Sequence, residues 1–297
     1  FARWVPDAAH SRLMRRFPTL VAAAVLLPGL ATAQVRFEPG LLLASPGASG
    51  VAVGDFDGDG RHDLAAIDYQ GRVTLQLQKT AGSFAAFPIA GAAFVVPSTG
   101  PLPMLATGDF NEDGRDDLVF SGGGGWRMFL SQPGDGWSLQ LAPASRRSGV
   151  GAPLVFDIDR DGHLDIVQAE QLASYPTSSQ LIGSALHLYF GDGDGGLVPR
   201  GVLDAGDANF FGIVAGHFNA DPFIDIATAE GAAFMGDPVN LVLRHGHGGS
   251  GFSAPVRLSG PLRSFVAGDF DSDGRTDLVT TGFPGADGSR MHLYRQL

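Results

Sequence analysis

One segment recurs five times along the chain and limits its fold more than any other feature. The copies are VAVGDFDGDGRHDLAAI (51–67), LATGDFNEDGRDDLVFS (105–121), LVFDIDRDGHLDIVQA (154–169), IVAGHFNADPFIDIATA (213–229) and FVAGDFDSDGRTDLVTT (265–281). Each is an apolar run, a nine-residue loop dense in Asp and Gly, and a second apolar run. The loops begin at Asp55, Asp109, Asp157, His217 and Asp269, which gives a repeat of 48 to 60 residues. The rest of each unit repeats as well. An alternating strand follows every loop: RVTLQL (72–77), WRMFLS (126–131), ALHLYF (185–190), NLVLRH (240–245) and RMHLYR (290–295). After the first four of these come a Gly-rich turn and one more strand, such as SFAAFPIA (83–90) or FSAPVRLS (252–259). Four antiparallel strands per unit make a blade. A lone blade would expose two apolar faces, so blades must stack side by side into a ring. The expected fold is therefore all-β, a β-propeller of four-stranded antiparallel blades.

The ends of the chain suggest how the ring closes. Residues 34–47 (QVRFEPGLLLASPG) align with the last strand of a blade, and the sequence reaches Leu297 just after the third strand of the fifth unit. The expectation is five blades, with the N-terminal strand completing the fifth and removing an open edge. The alternative is a fragment of a seven-bladed ring. Ahead of this, Met14-Arg15-Arg16, the apolar run Leu20 to Leu27 and Ala31-Thr32-Ala33 have the charge, length and small-residue pattern of a secretory signal peptide. That run is too short to span a bilayer, which takes about 20 residues. The division is residues 1–13 upstream and unstructured, 14–33 signal peptide and 34–297 propeller. It implies secretion, whether extracellular, periplasmic or cell-surface, with no membrane span after signal cleavage.

Composition narrows the function classes. The 43 Gly and 19 Pro carry no Gly-X-Y period, so the chain is not collagenous. A net charge of −11 argues against nucleic acid as a partner, since phosphates require a basic surface. There is no cysteine, which removes disulfides, thiolate catalysis and Cys-type zinc sites.

The acids are clustered, and the cluster has a chemistry. In DFDGDGRHD (55–63), Asp55, Asp57, Asp59 and Asp63 put four carboxylates on nine residues, which repel one another at short range without a cation. Hard oxygen donors select Ca²⁺, which takes six to eight oxygens at about 2.3–2.6 Å, whereas Mg²⁺ demands stricter octahedral geometry. Gly60 permits a sharp bend at positive φ, and the carbonyl of Arg61 is the expected fifth ligand. No Glu stands at the twelfth position and strands rather than helices flank the loop, so this is not an EF-hand.

The pattern resembles the FG-GAP or VCBS repeat family, found in integrin α-chain propellers and in bacterial secreted proteins, over about residues 34–297. The resemblance implies a Ca²⁺ loop between the first two strands of each blade. By position it implies Asp109, Asn111, Asp113, Asp117 and the Arg115 carbonyl in the second loop. In the third it implies Asp157, Asp159, Asp161, Asp165 and the His163 carbonyl, and in the fifth Asp269, Asp271, Asp273, Asp277 and the Arg275 carbonyl. The fourth loop departs from the pattern. His217 and Asn219 replace two Asp, and Pro222 stands where Gly is needed and cannot take positive φ. About four Ca²⁺ sites are expected, with the His217–Asp225 loop empty or weak and its blade intact. Four divalent cations would offset most of the net negative charge.

Other candidates have plainer readings. GGGG (122–125) lacks the Lys and Ser/Thr of a phosphate loop and reads as a hairpin connection. GDGDGG (191–196) reads as the Gly turn of its blade. His245 and His247 are too few for a transition-metal site. Trp126 starts a strand and reads as core, while Trp137 follows a turn and is the better candidate for stacking on a sugar. No nucleophile elbow, zinc-protease helix or Ser/His/Asp set is present. The expected function is a calcium-binding propeller acting as a binding, adhesion or scaffold module, monomeric, with a protein or carbohydrate ligand. The alternatives are an extracellular lyase-like enzyme on polysaccharide, or a structural domain of a larger surface protein.

Overall fold

The computed structural model describes residues 47–87, 104–122, 125–134, 136–141, 148–149, 152–171, 184–206, 209–231, 239–249, 251–258, 262, 264–281 and 291–296. All regular structure in them is β. The first sheet runs β1 (Ala48–Gly54), β2 (Asp63–Asp68), β3 (Val73–Thr80) and β4 (Ser83–Phe87), each antiparallel to the next. The second repeats this order with β5 (Met104–Gly108), β6 (Asp117–Gly122), β7 (Gly125–Gln132) and β8 (Gly136–Leu141). The third holds β10 (Leu154–Phe156), β11 (Asp165–Gln171), β12 (Ser184–Gly191) and β13 (Leu197–Gly206), and a two-residue strand, β9 (Ser148–Gly149), pairs with the far end of β11. The fourth is β14 (Asn209–Gly216), β15 (Asp225–Gly231), β16 (Val239–Arg244) and β17 (Val256–Leu258). The fifth has three strands among the described residues: β18 (Ser264–Gly268), β19 (Asp277–Thr281) and β20 (Met291–Tyr294).

Every sheet therefore has the strand order read from the repeat, and every Asp loop joins its first two strands. These are the blades of a β-propeller. Of the strand expected to close the fifth blade, residues 34–47, all but Gly47 lie outside the described residues, as do the signal peptide and the segment before it.

Blades meet face to face, and the alternation of each strand decides which interface a side chain enters. In β6, Leu118 and Phe120 pack into the core shared with blade one, beside Ile67 and Leu75, while Val119 enters the core shared with blade three, beside Ile166 and Tyr189. Both faces of the second strand are buried. This explains why these strands read as unbroken apolar runs rather than alternating ones. The second loop residue acts as a plug toward the following blade: Phe56, Phe110 and Ile158 are buried in the first, second and third interfaces, and Phe218 packs into the fourth. Fully burying one such side chain contributes roughly 1.5–3 kcal/mol.

The glycines before the loops allow neighbouring blades to approach closely. A Cβ on Gly54 would lie 2.9 Å from the Asp116 Cβ, and one on Gly108 would lie 2.6 Å from Leu164 Cδ1.

The remaining turns follow the sequence reading. Gly122 pairs with Gly125 across the β6–β7 hairpin. GDGDGG forms the turn between β12 and β13, with Asp192 Oδ1 accepting from the amides of Asp194 and Gly196. Trp126 is core, edge-on to Tyr189 at 5.1 Å between ring centroids. Trp137 is less free than expected: it is half-buried against the first interface, 6.1 Å from the Phe56 ring, because its strand lies along the edge of that core.

Candidate metal centres

The loops are built by their own carboxylates. The first-position Asp reaches across the loop. Asp55 Oδ1 accepts the amide of Asp59 at 3.0 Å and Oδ2 that of Gly60 at 2.8 Å. Asp109 and Asp269 do the same in loops two and five. The fifth-position Asp59, Asp113, Asp161 and Asp273 each accept the amide of the seventh residue at 2.9 Å. To close this way the backbone turns left-handed twice. The fourth residue is Gly58, Glu112, Arg160 or Ser272, with φ of 73°, 53°, 65° and 64°, and the sixth is always Gly, with φ from 84° to 101°. Positive φ is costly for any residue with a Cβ, so the invariant sixth Gly and the strained non-Gly fourth residues are held by the loop as a whole.

The outcome is convergence of oxygens. Asp55, Asp57 and Asp63, then Asp157, Asp159 and Asp165, then Asp269, Asp271 and Asp273, each bring one carboxylate oxygen apiece within 4.8 Å of the others. In the second loop Asp109 and Asp113 keep the same backbone bonds, and Asn111 holds the third position with Nδ2 3.3 Å from Asp113 Oδ2. In the third loop Asp157 Oδ1 is buried and accepts no hydrogen bond. A buried carboxylate oxygen facing other carboxylates without a donor costs energy unless a cation sits there. Together with an all-oxygen donor set, this fits a hard divalent cation such as Ca²⁺ and does not fit a soft metal.

The ninth-position Asp has a role the sequence reading missed. In every blade its Oδ2 accepts the amide of the second loop residue: Phe56 to Asp63, Phe110 to Asp117, Ile158 to Asp165, Phe218 to Asp225 and Phe270 to Asp277, at 2.7–3.1 Å. Its Oδ1 accepts an amide just beyond or at the end of the third strand: Gln78, Ser131, Gly191, Gly246 and Gln296, at 2.7–3.1 Å. It is a clamp between loop and sheet, and all five are essentially inaccessible to solvent. A sequence clue existed: Asp225 persists, with Asp221, in the one loop whose first and third positions have lost their Asp.

Burial has an electrostatic consequence. Desolvation pushes the Asp117 carboxyl up to about 8 and that of Asp165 up to about 7, against the backbone bonds that lower them. Asp63 and Asp157 are raised for the same first reason. Among the described residues, cationic side chains reach the loop carboxylates from the rims: Lys79 Nζ lies 2.9 Å from Asp57 and Arg61 pairs with Asp59.

Loop four closes without the shared geometry. Neither Ala220 nor Pro222 takes positive φ. His217 Nδ1 lies 2.9 Å from the carbonyl oxygen of Phe223, the seventh residue. A carbonyl only accepts, so Nδ1 carries the proton. The imidazole N–H thus binds the carbonyl whose counterparts, in Arg61, Arg115, His163 and Arg275, were expected to face the cation. Asp221 and Asn219 keep their local backbone bonds. His245 Nδ1 lies 3.3 Å from Asp225 Oδ2, and His247 is exposed.

Repeated four-stranded blades with acidic loops between their first two strands define a repeat β-propeller. Residues 55–120 and 109–167 match the family model described as FG-GAP-like repeat. The chain thus carries FG-GAP-like repeats in two adjacent segments, in keeping with the FG-GAP/VCBS resemblance of its sequence. No curated protein matches the sequence. Among solved structures, an Agrocybe aegerita lectin that recognises non-reducing terminal N-acetylglucosamine is similar over 82% of this chain at 16% identity, with a TM-score of 0.53. The chain spans 62% of that lectin's length. AofleA from Arthrobotrys oligospora is similar over 82% of this chain and 68% of its own, at 14% identity and a TM-score of 0.47.

Proposed function

We propose that the protein is a calcium-stabilised β-propeller that works outside the cell as a carbohydrate-binding module rather than an enzyme. The calcium half rests on one contrast. Four loops share a doubly left-handed turn, three of them bring three carboxylates together, and the loop that lacks the ligand set fills the gap with a histidine N–H. Three or four carboxylates per loop, with the carbonyls of Arg61, Arg115, His163 and Arg275, make an oxygen cage suited to a flexible, high-coordination ion. The cation would supply the positive charge these buried acids lack. The location outside the cell is supported by the signal-like sequence of residues 14–33. A carbohydrate ligand is supported by the fold shared with the N-acetylglucosamine-recognising lectin, and fold likeness alone does not choose the sugar.

A glycan array probed with the mature protein in calcium tests the binding half. The expected result is retention on at least one glycan class, lost when calcium is chelated, with the bound glycan recovered unchanged. Depolymerisation of a polysaccharide substrate would favour the enzyme instead, and a blank array would remove carbohydrate as the ligand.

A further inference from the structure

The loops touch one another in a fixed pattern. In loops two, three and four the seventh residue lies on the left-handed fourth residue of the loop before it. Arg115 Cγ packs over Gly58, 3.1 Å from where its Cβ would be. His163 Nδ1 meets Glu112 Oε1 at 2.6 Å. The Arg160 guanidinium stands 5.7 Å above the Phe223 ring. The eighth residue adds a second contact, to the first residue of the preceding loop. Asp116 Oδ2 accepts the Asp55 amide at 2.7 Å while the Asp116 amide donates to the Asp55 carbonyl at 2.7 Å. Between loops five and four, Thr276 Oγ1 accepts the His217 amide at 3.2 Å.

The fourth and first residues are the ones whose conformation builds each oxygen cage. The seventh is where the neighbouring cage places its carbonyl. Ordering one loop therefore orders the wall of the next, and a pre-ordered wall reduces the conformational entropy lost on binding. Loop four is already ordered by the His217–Phe223 bond, which fixes the ring beneath Arg160.

We propose that the loops form a linked belt in which cation sites one, two and three raise one another's affinity through these contacts, and that loop four serves loop three as a permanently ordered neighbour while isolating it from site five. The proposal rests on the calcium reading above. Such coupling is reciprocal and typically 5–150-fold.

The test is a calcium titration of the full chain followed by NMR at the amides of Gly60, Gly114, Gly162 and Gly274, one per loop. Disabling site three with Asp161→Ala is expected to raise the midpoint at Gly114 at least ~5-fold, whereas Asp273→Ala in loop five leaves Gly162 unmoved. His163→Ala, which keeps the carbonyl and removes the contact with Glu112 along with the ring's packing beside Gly193, is expected to raise the Gly114 midpoint too. Phe223→Ala is expected to raise that at Gly162. Midpoints at Gly114 that stay put in both Asp161→Ala and His163→Ala would overturn the coupling while leaving calcium binding intact. If none of the four amides responds to calcium, both this proposal and the calcium reading fail.

Discussion

Stripped of calcium, the protein is expected to melt at least ~20 °C lower than in calcium excess. Each site filled at a hundredfold excess over its dissociation constant stabilises the native state by about 2.7 kcal/mol, so four amount to on the order of 10 kcal/mol. In a chain of this size 1 kcal/mol moves the melting temperature by about 2–4 °C. The pH dependence carries a second signature. Without a cation, Asp117 and Asp165 titrate near 8 and 7, and Asp63 and Asp157 are also raised. A raised carboxyl means the native state binds more protons than the unfolded chain between about pH 4 and pH 8, so stability falls as pH rises through that window. The chelated protein should melt higher at pH 5.5 than at pH 8. With calcium bound the ionised carboxylates are the favoured form, and the trend should flatten or reverse. Differential scanning fluorimetry at both pH values, with and without calcium, measures this. A shift under ~5 °C on chelation would contradict four stabilising sites.

The second large effect separates clamp from ligand. Asp117→Ala removes the acceptor of two buried amides, Phe110 N–H at 2.9 Å and Ser131 N–H at 2.8 Å. Each orphaned amide costs about 1–3 kcal/mol, and native stability is typically only 5–15 kcal/mol. The variant is therefore expected to lose stability with or without calcium, close to the limit of folding. Asp113→Ala removes an exposed loop carboxylate and should matter mainly in calcium. Asp225→Ala supplies the control: its blade has the same clamp, with bonds from Phe218 and Gly246, and no expected ion. It should cost about as much as Asp117→Ala whatever the calcium concentration. Urea unfolding of the three variants in calcium and in chelator decides. If Asp117→Ala is silent in chelator, the ninth residue acts only through the ion.

Much of this architecture is legible in the sequence because the repeat supplies the same signal five times. A strand such as DLVFSG could be a buried helix segment if met once. Five copies in phase with an Asp loop before and an alternating strand after leave only the blade. The spoiling of loop four was readable for the same reason, from Pro222 at a position that elsewhere needs positive φ. What was not legible depends on neighbours in space. Asp63 and its equivalents fit the ligand pattern so well that their clamp role stayed hidden, since the amides of Gln78 or Ser131 come from a strand 14 or 15 residues further on. The His217–Phe223 bond and the Glu112–His163 contact have no sequence signature. The first needs the local turn to be known, and the second needs two blades to be placed side by side. Trp137 looked free because a turn precedes it, yet its strand borders the first interface.

Counting calcium per chain tests the central claim most directly. The mature protein is gel-filtered in a buffer whose free calcium fills the sites yet stays well below the protein concentration, and the metal above the buffer level is measured by plasma mass spectrometry against protein concentration. Four calcium ions per chain are expected, with none gained or lost in His217→Ala. A chain without calcium would contradict the reading of the loops, and a fifth ion would contradict the histidine-closed fourth loop.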